Sequence, residues 1–279
     1  MVGVTPQEQG LLCESGPVQV DLHSHVLPGV DDGARDEEMA LAMLSVAAED
    51  GTRVIAATPH AGEVAPEAIP EMVRWLNERA REIGIPIEVV PGCEYRLSRA
   101  LMTGYRCGRL VTLNGGPYVL VELPSWNEWP DDIERTLVEL RDGGLWPVLA
   151  HPERHTPVQR CPELVLQAVE AGALVQLNAS SLLGGNGRAA QRAAVLLLRA
   201  RAAHLIASDG HHPLDRPPRV ADAWARAANL VGEEEGHWIR WAATQVVAGA
   251  PIDLPVVRAD ILRQDESWLD RLRDWLTGP

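Results

Sequence analysis

Residues 21–33 read DLHSHVLPGVDDG, in which two histidines one residue apart precede a Pro-Gly turn and a pair of aspartates. His23 and His25 differ by two positions, so on a β-strand their imidazoles point to the same face. This geometry suits two ligands of one metal ion, because imidazole binds Zn, Fe and Mn ions. A β-hairpin with polar surface residues gives the same short pattern, so the residues at the ends of the other strands are needed to distinguish it from a metal site.

Seven short runs with the composition of strands follow one another along the chain, separated by segments of helical period. The predicted strands are residues 18–23, 53–58, 87–90, 118–123, 147–151, 173–178 and 204–208. Most are continuous apolar runs, which are typical of a parallel sheet covered on both faces. The pattern predicts an α/β protein, built either as a barrel or as an open, doubly wound sheet.

Polar residues of the metal-binding types stand at the ends of these strands. They are His60, Glu94, Glu122, His151, Asp209 and His211, with Arg154 three residues after His151. A barrel brings the carboxyl ends of all its strands around one mouth, whereas an open sheet scatters them. We therefore predict a barrel and a metal site together, which also makes the His-x-His pair convincing.

The length and the apolar pattern also divide the chain. We predict a lead-in segment over residues 1–17 and one barrel domain over residues 18–254. Residues 255–279 are predicted to form an amphipathic helix packed on the barrel. A helix that binds a partner is the alternative for this last segment.

Charge and hydropathy limit the partners. The net charge of −14 argues against nucleic acid and anionic membranes, because their phosphates would be repelled. No apolar run approaches the roughly 18 residues of a membrane span. The first basic residue is Arg35, so the charged leader of a signal peptide is absent from the sequence. These features predict a soluble cytoplasmic protein, and they leave its oligomeric state open.

Six motifs occur in a recognisable order: DLHSHVLPGVDDG, ATPH, PGCEYRL, VELP, AHPER and SDGHH. Together, over roughly residues 18 to 250, they resemble the polymerase-and-histidinol-phosphatase (PHP) superfamily. Within it, the chain is similar to the bacterial manganese-dependent protein-tyrosine phosphatases encoded with capsular and exopolysaccharide genes. The resemblance implies a distorted (β/α)7 barrel with three divalent metal ions, manganese being the expected metal and iron or zinc the alternatives.

The resemblance also implies a role for each motif residue. His23, His25 and Asp209 would bind the first metal, with Glu94 bridging to the second. Glu122 and His151 would bind the second metal, and Asp32, His60 and His211 the third. Arg154 would hold the phosphate and His212 would contact the substrate, while Asp31 is the alternative to Asp32 within the DDG turn.

The implied activity is hydrolysis of phosphotyrosine in proteins by attack of a metal-bridged hydroxide. The expected partner is the tyrosine-rich tail of a bacterial tyrosine kinase that controls polysaccharide export. The residues themselves agree with this chemistry, because four carboxylates and neutral imidazoles around three divalent ions leave a local charge of roughly +2. Such a charge attracts a phosphate dianion. His155 and His212 are the candidates for an assisting acid.

A competing signal is the sequence CEYRLSR from Cys93 to Arg99, which fits the C-x5-R pattern of cysteine-dependent phosphatases. We reject it because the intervening residues contain no glycine and begin with a carboxylate, which would repel both thiolate and phosphate. Two other functions stay open: a PHP enzyme that hydrolyses a small phosphate ester such as histidinol phosphate, and a catalytically inactive regulatory barrel.

Overall fold

Residues 18–262 are described by the computed structural model, and within them parallel strands alternate with helices. The strands are β1 Gln19–Ser24, β2 Thr52–Ala57, β3 Glu88–Pro91, β4 Glu94–Arg96, β5 Tyr118–Glu122, β6 Trp146–Ala150, β7 Leu174–Asn178 and β8 Leu205–Ala207. The α-helices are α1 Glu37–Glu49, α2 Ala68–Glu82, α3 Ala100–Arg106, α4 Ile133–Asp142, α5 Thr156–Arg160, α6 Val165–Glu170, α7 Ala179–Leu183, α8 Gly187–Arg199, α9 Ala221–Val231 and α10 Glu233–Ala248. The predicted α/β class is confirmed.

The strands form two parallel sheets, ordered β1-β2-β3 and β4-β5-β6-β7-β8. All seven predicted strands are present, but β4 was not predicted, because its three residues are too few to show a strand pattern. Single backbone bridges join the two sheets, one between His60 and Glu94 and one between Ser24 and Gly210. The structure therefore gives two parallel sheets within the described residues, and the closed seven-stranded barrel stays a prediction.

Inward-facing side chains of both sheets share one core. Val20 and Leu22 of β1 meet Leu120 of β5, Val148 of β6 and Leu205 of β8 in a single apolar cluster. Helix α10 lies under this cluster and adds a face of small and branched residues, namely Ala242, Ala243 and Val246. The hydroxyl of Tyr118, at the start of β5, donates to the carbonyl of Ala250 just after α10 (2.7 Å). Since α10 covers the amino ends of the strands, the carboxyl ends remain for the site.

The βα units follow ordinary local rules, as the first one shows. The Asp36 carboxylate caps α1 by accepting from the amide of Met39 at 2.9 Å. Two glutamates in the first turn add favourable charge at the positive end of the helix. Gly51, at a φ of +101°, then turns the chain into β2, a conformation that glycine adopts without strain.

The predicted terminal segments lie mostly outside the described residues. This holds for the lead-in over residues 1–17 and for residues 263–279 of the C-terminal helix. Residues 259–262 are helical, and Leu262 is buried in the cluster between α8 and α9. Among the helices of residues 18–262, none is both long and apolar enough to cross a membrane.

Candidate metal centre

Nine side chains that the sequence marks as ligands meet at the carboxyl ends of the strands. Their ligand atoms fall into four groups, and within each group all atoms lie within 4.8 Å of one another. The groups are His25, Asp32, His60 and His211; His23, His25 and Glu94; His23, His151 and Asp209; and Glu94, Glu122 and His151. Four of the nine recur in two groups each, so the groups form one continuous cluster; they are His23, His25, Glu94 and His151.

The two histidines of β1 lie at the centre of this cluster. Their Nε2 atoms are 3.3 Å apart, as strand alternation predicts for side chains on one face. The Nε2 of His23 is also 3.3 Å from Oε2 of Glu94 and 3.5 Å from Oδ1 of Asp209. Donor atoms bound to one ion by bonds of about 2.1 Å lie roughly 3 to 3.5 Å apart, so these separations suit a shared metal.

Glu94 is the carboxylate that most of the histidines approach. Its Oε1 is 3.0 Å from Nε2 of His151, and its Oε2 is 3.1 Å from Nδ1 of His60. Although burial opposes ionisation, the charge of His23 and hydrogen bonds from the histidines hold the pKa of Glu94 well below its usual range. In turn, burial opposes charging of His23, but Glu94 and Asp209 outweigh it and raise the pKa of His23 to about 9.

These opposed pKa shifts are those of a buried cluster of carboxylates and imidazoles that attracts cations. In the absence of a metal its carboxylates draw protons onto His23 and, through a hydrogen bond with Glu94, onto His60, whose pKa rises to about 9. Divalent ions would compete with those protons for the same nitrogens. The donor set of histidines and carboxylates therefore fits Mn, Fe or Zn ions.

Groups behind the ligands hold the histidine rings in the orientation that metal binding requires. The Nδ1 of His211 is 2.8 Å from the carbonyl of Asp209, an acceptor that keeps a proton on Nδ1. The side-chain amide nitrogen of Gln176 lies 3.3 Å from Nδ1 of His23 and contacts that ring from behind. The contact with the carbonyl of Asp209 leaves the lone pair of His211 Nε2 directed into the cluster, as in other carbonyl-held metal ligands.

The two aspartates of the DDG turn have different surroundings. Asp31 is buried, with 2% of its side chain exposed, and its Oδ2 accepts from Nδ1 of His25 at 2.7 Å and from the amide of His60 at 3.0 Å. Burial opposes ionisation, yet the hydrogen bond and charge of His25 lower the pKa of Asp31 to about 2. Asp32 is 63% exposed, and its Oδ1 lies 3.4 Å from Nε2 of both His60 and His211. The geometry thus favours Asp32 as the ligand and Asp31 as the group that orients His25.

Gly33 allows the turn to fold back onto His25. A Cβ atom at this position would lie 2.1 Å from the carbonyl oxygen of His25, a distance that no side chain permits. The amide of Ala34 donates to the same carbonyl at 3.0 Å. The glycine of DDG is therefore required by a close approach of backbone, which brings both aspartates to the metal centre.

Replacing each aspartate by asparagine should separate these two roles. We expect Asp32→Asn to weaken binding of the ion that it shares with His60 and His211, with little change in the melting temperature, because its side chain is exposed. Asp31→Asn should lower metal affinity roughly 10- to 100-fold through loss of the His25 tautomer and should also lower the melting temperature of the metal-free protein. Metal titration and thermal unfolding measure both effects, and an Asp31→Asn protein with normal affinity would contradict the assignment.

Asp209 connects the ligand cluster to two arginines. Its Oδ1 faces the histidines, while its Oδ2 accepts from Arg154 (2.5 Å), Arg216 (2.9 Å) and the side-chain amide of Asn178 (2.9 Å). Burial opposes ionisation, but the surrounding positive charges, with His23 the largest, hold the pKa of Asp209 well below its usual range. Both guanidinium groups thereby stand beside the cluster, and their planar forks have the geometry that suits phosphate oxygens.

Two of the candidate ligands occupy strained backbone. His151 has a φ of +35° and Asp209 a φ of +53°, in the left-handed region that residues other than glycine seldom adopt. Each follows a strand, β6 or β8, and the turn directs its side chain back across the carboxyl ends of the sheet. Such conformations cost on the order of 1–3 kcal/mol and concentrate at functional sites.

The two histidines proposed as assisting acids are already engaged. His155 is buried, its Nδ1 is 2.9 Å from the carbonyl of Ser125, and burial lowers its pKa to about 4. A neutral, buried imidazole is a poor proton donor at neutral pH. The Nδ1 of His212 accepts from the amides of Leu214 and Asp215, both at 3.1 Å, and so caps the turn before Arg216. Its contact with substrate stays a prediction.

Cys93 lacks the surroundings of a phosphatase nucleophile. The thiol is buried, it donates to the carbonyl of Pro59 at 3.2 Å, and burial raises its pKa to about 12. Arg99, the other end of the C-x5-R pattern, pairs with Glu139 on the outer surface. Both observations agree with the rejection of the cysteine mechanism.

We expect Cys93→Ser to retain nearly all phosphatase activity, since the serine hydroxyl can donate to the same carbonyl. The measurement is kcat/KM of the metal-loaded variant beside the wild type. A loss of more than roughly 100-fold in a folded, metal-loaded Cys93→Ser protein, comparable to the loss of a catalytic group, would restore the cysteine mechanism.

Sequence reasoning missed Arg216 and Asn178. Arg216 follows the SDGHH motif by four residues, in the same loop, and its signal is only that of a basic residue near a predicted ligand. Asn178 ends β7, the one predicted strand for which no ligand was named. Both become functional candidates only through their contacts with Asp209.

Comparison with known proteins relates the chain to bacterial tyrosine-protein phosphatases. Residues 19–247 match the protein family described as Capsular polysaccharide synthesis, CpsB/CapC. The tyrosine-protein phosphatase YwqE of Bacillus subtilis (strain 168) is 34% identical over 197 residues, which are 69% of this chain and 77% of YwqE. The tyrosine-protein phosphatase CpsB of Streptococcus pneumoniae is 26% identical over 225 residues, covering 77% of this chain and 92% of CpsB.

A solved structure matches over most of both chains. It comes from the crystal structures of YwqE from Bacillus subtilis and CpsB from Streptococcus pneumoniae, described as metal-dependent tyrosine phosphatases. The match has a TM-score of 0.81 at 31% sequence identity and covers 85% of this chain and 98% of the other.

Proposed function

The chain belongs to the capsular polysaccharide synthesis family CpsB/CapC, and from this membership we propose how its site works as that of a tyrosine-protein phosphatase. It is a metal-dependent enzyme of that class, as its similarity to YwqE and CpsB indicates. The observation that carries the proposal is the meeting of metal-ligand groups and two arginines at one end of the parallel strands.

The candidate ligands are assigned to three divalent ions, with manganese as the expected metal. His23, His25 and Asp209 would hold the first ion, Glu94, Glu122 and His151 the second, and Asp32, His60 and His211 the third. Glu94 would also serve the first ion, in support of which its Oε2 lies 3.3 Å from Nε2 of His23. When bound, the ions would polarise the phosphate oxygens and activate water for attack.

The chain's own residues bind and orient the phosphate. Arg154 and Arg216 share the Oδ2 atom of Asp209, so one buried carboxylate fixes both guanidinium groups at the edge of the cluster. Their planar forks suit phosphate oxygens. A phenolate, with a pKa of about 10, leaves with less help from an acid than an alkoxide would. The neutral state of His155 is therefore compatible with phosphotyrosine as substrate.

The fold and location belong to the same proposal. The two sheets act together as the distorted (β/α)7 barrel, since one inward core and two backbone bridges join them. We assign the barrel to residues 18–254; the lead-in over residues 1–17 and the C-terminal segment over residues 255–279 flank it in the sequence, and helix begins at residue 259 in the described part of that segment. The substrate is the phosphorylated tail of a tyrosine kinase of polysaccharide export, and the enzyme works in the cytoplasm, where such a kinase uses ATP.

The test compares kcat/KM for a phosphotyrosyl peptide with that for small phosphate esters, including histidinol phosphate, on the same metal-loaded protein. We expect the peptide to be preferred. A preference of roughly 100-fold or more for a small ester, equal to about 2.7 kcal/mol in transition-state binding, would replace the protein phosphatase by the small-ester enzyme. Absence of turnover with every ester in a metal-loaded protein would favour the inactive regulatory barrel.

A further inference from the structure

Trp126 lies on the loop between β5 and α4, next to Arg154, and 46% of its surface is exposed. Large aromatic side chains are usually more buried than this in a folded domain. The indole ring stacks on His155, with ring centroids 4.3 Å apart and an interplanar angle of 14°. The indole is also nearly parallel to the imidazole of His151, with ring centroids 6.0 Å apart and an interplanar angle of 13°. An exposed aromatic ring therefore adjoins a candidate metal ligand.

The ring is fixed in place by its backbone and by its neighbours. The amide of Thr156 donates to the carbonyl of Trp126 at 2.9 Å, and His155 Nδ1 is held by the carbonyl of Ser125 at 2.9 Å. The 3-10 turn and helix that follow His151 thus tie down the loop that carries the tryptophan. His155, buried beneath the indole, supports it without itself being exposed. A ring held in this way is already ordered before any ligand binds, so little entropy is lost on binding.

Trp126 also has a direct spatial relation to the phosphate-binding group. The guanidinium carbon of Arg154 lies 5.1 Å from the centre of the indole ring. In phosphotyrosine a single oxygen atom joins the phosphorus to the aromatic ring. The tyrosyl ring of a phosphate held by Arg154 is therefore within reach of the indole, to which it could make an aromatic contact.

We propose that Trp126 is the platform on which the aromatic ring of an aryl phosphate stacks, which makes it a specificity-determining residue of this site. The inference rests on the phosphatase function proposed above. It explains how a cluster built to hold any phosphate distinguishes phosphotyrosine from aliphatic phosphates. The platform contributes to binding of the ring and takes no part in the chemical step.

Two non-hydrolysable ligands test the platform by direct calorimetric binding to the metal-loaded protein. Phenylphosphonate carries the ring and methylphosphonate does not, while both present the same phosphonate group. We expect Trp126→Ala to raise the Kd of phenylphosphonate roughly tenfold, the size of one aromatic contact together with its apolar burial. The Kd of methylphosphonate should stay within about twofold, since that ligand does not reach the indole. Trp126→Phe should retain most of the affinity for phenylphosphonate.

Trp75→Ala is the matched control, because Trp75 is 37% exposed on α2. It should leave both dissociation constants unchanged. If Trp126→Ala weakens both ligands equally, the tryptophan acts by supporting Arg154, and the platform is overturned. An unchanged Kd for phenylphosphonate in a folded Trp126→Ala protein overturns it as well. Failure of the wild-type enzyme to hydrolyse phosphotyrosyl peptide is a separate result, which would reject the phosphatase function whatever the calorimetry gives.

Discussion

Glu94→Gln should reduce kcat/KM for a phosphotyrosyl peptide by roughly 1000-fold or more, which corresponds to about 4 kcal/mol of lost transition-state stabilisation. The substitution keeps the shape of the side chain and removes its charge. Glu94 approaches His23, His60 and His151 within 3.0 to 3.3 Å, so the loss of its charge affects more than one candidate metal position. Metal content should fall together with activity, and elemental analysis of the purified variant measures it.

Glu88→Gln provides the control, because Glu88 is an exposed glutamate on β3, the strand that precedes Glu94 in sequence. Its activity and metal content should equal those of the wild type. A Glu94→Gln protein that keeps its activity within roughly tenfold would show that the shared carboxylate is not required, and the proposed arrangement of ligands would be wrong.

Arg154→Ala is expected to weaken binding of inorganic phosphate roughly 10- to 100-fold, the range for loss of a charged hydrogen bond. Metal content should not change. The reason lies in the two sides of Asp209: the histidines face Oδ1, whereas Arg154 contacts Oδ2, which Arg216 and Asn178 continue to hold. The inhibition constant of inorganic phosphate measures the change in phosphate binding, and elemental analysis measures the metal content.

Two further variants make this result specific. Arg216→Ala should weaken phosphate binding in the same way, and Arg154→Lys should restore part of it, because lysine keeps the charge but loses the fork. Arg160→Ala removes an exposed arginine at the end of α5 and should change neither phosphate binding nor metal content. Loss of metal in Arg154→Ala would mean that the arginine holds the metal ligands in place and does not act mainly by binding phosphate.

The positions of seven strands and the polar residues that follow them were predictable, because both follow from residue period and position along the chain. His23 and His25 share a face through strand alternation, and strand ends mark where the other ligands stand. Strand β4 escaped prediction because Glu94–Arg96 is only three residues long, although it pairs in parallel with β5 at the edge of the five-stranded sheet. Glu94 therefore begins a strand, where the sequence had placed it after the end of β3.

The choice between Asp31 and Asp32 could not be made from sequence. Adjacent carboxylates on one turn have the same chemistry and nearly the same spacing, and only the direction of each side chain separates them. Arg216 and Asn178 were missed for a similar reason, since their importance arises from meeting one oxygen atom of Asp209 in space. The contact of Trp126 with Arg154 likewise joins two loops that are distant in sequence.

Metal content and its link to activity test the central claim most directly. The purified protein is analysed for transition metals, then treated with a chelator, and finally reloaded with Mn²⁺, with hydrolysis of a phosphotyrosyl peptide measured at each stage. The account predicts more than one bound metal ion per chain, approaching three when the protein is saturated, loss of activity on chelation and recovery on reloading. Full activity in protein that holds less than one transition metal per chain would contradict it.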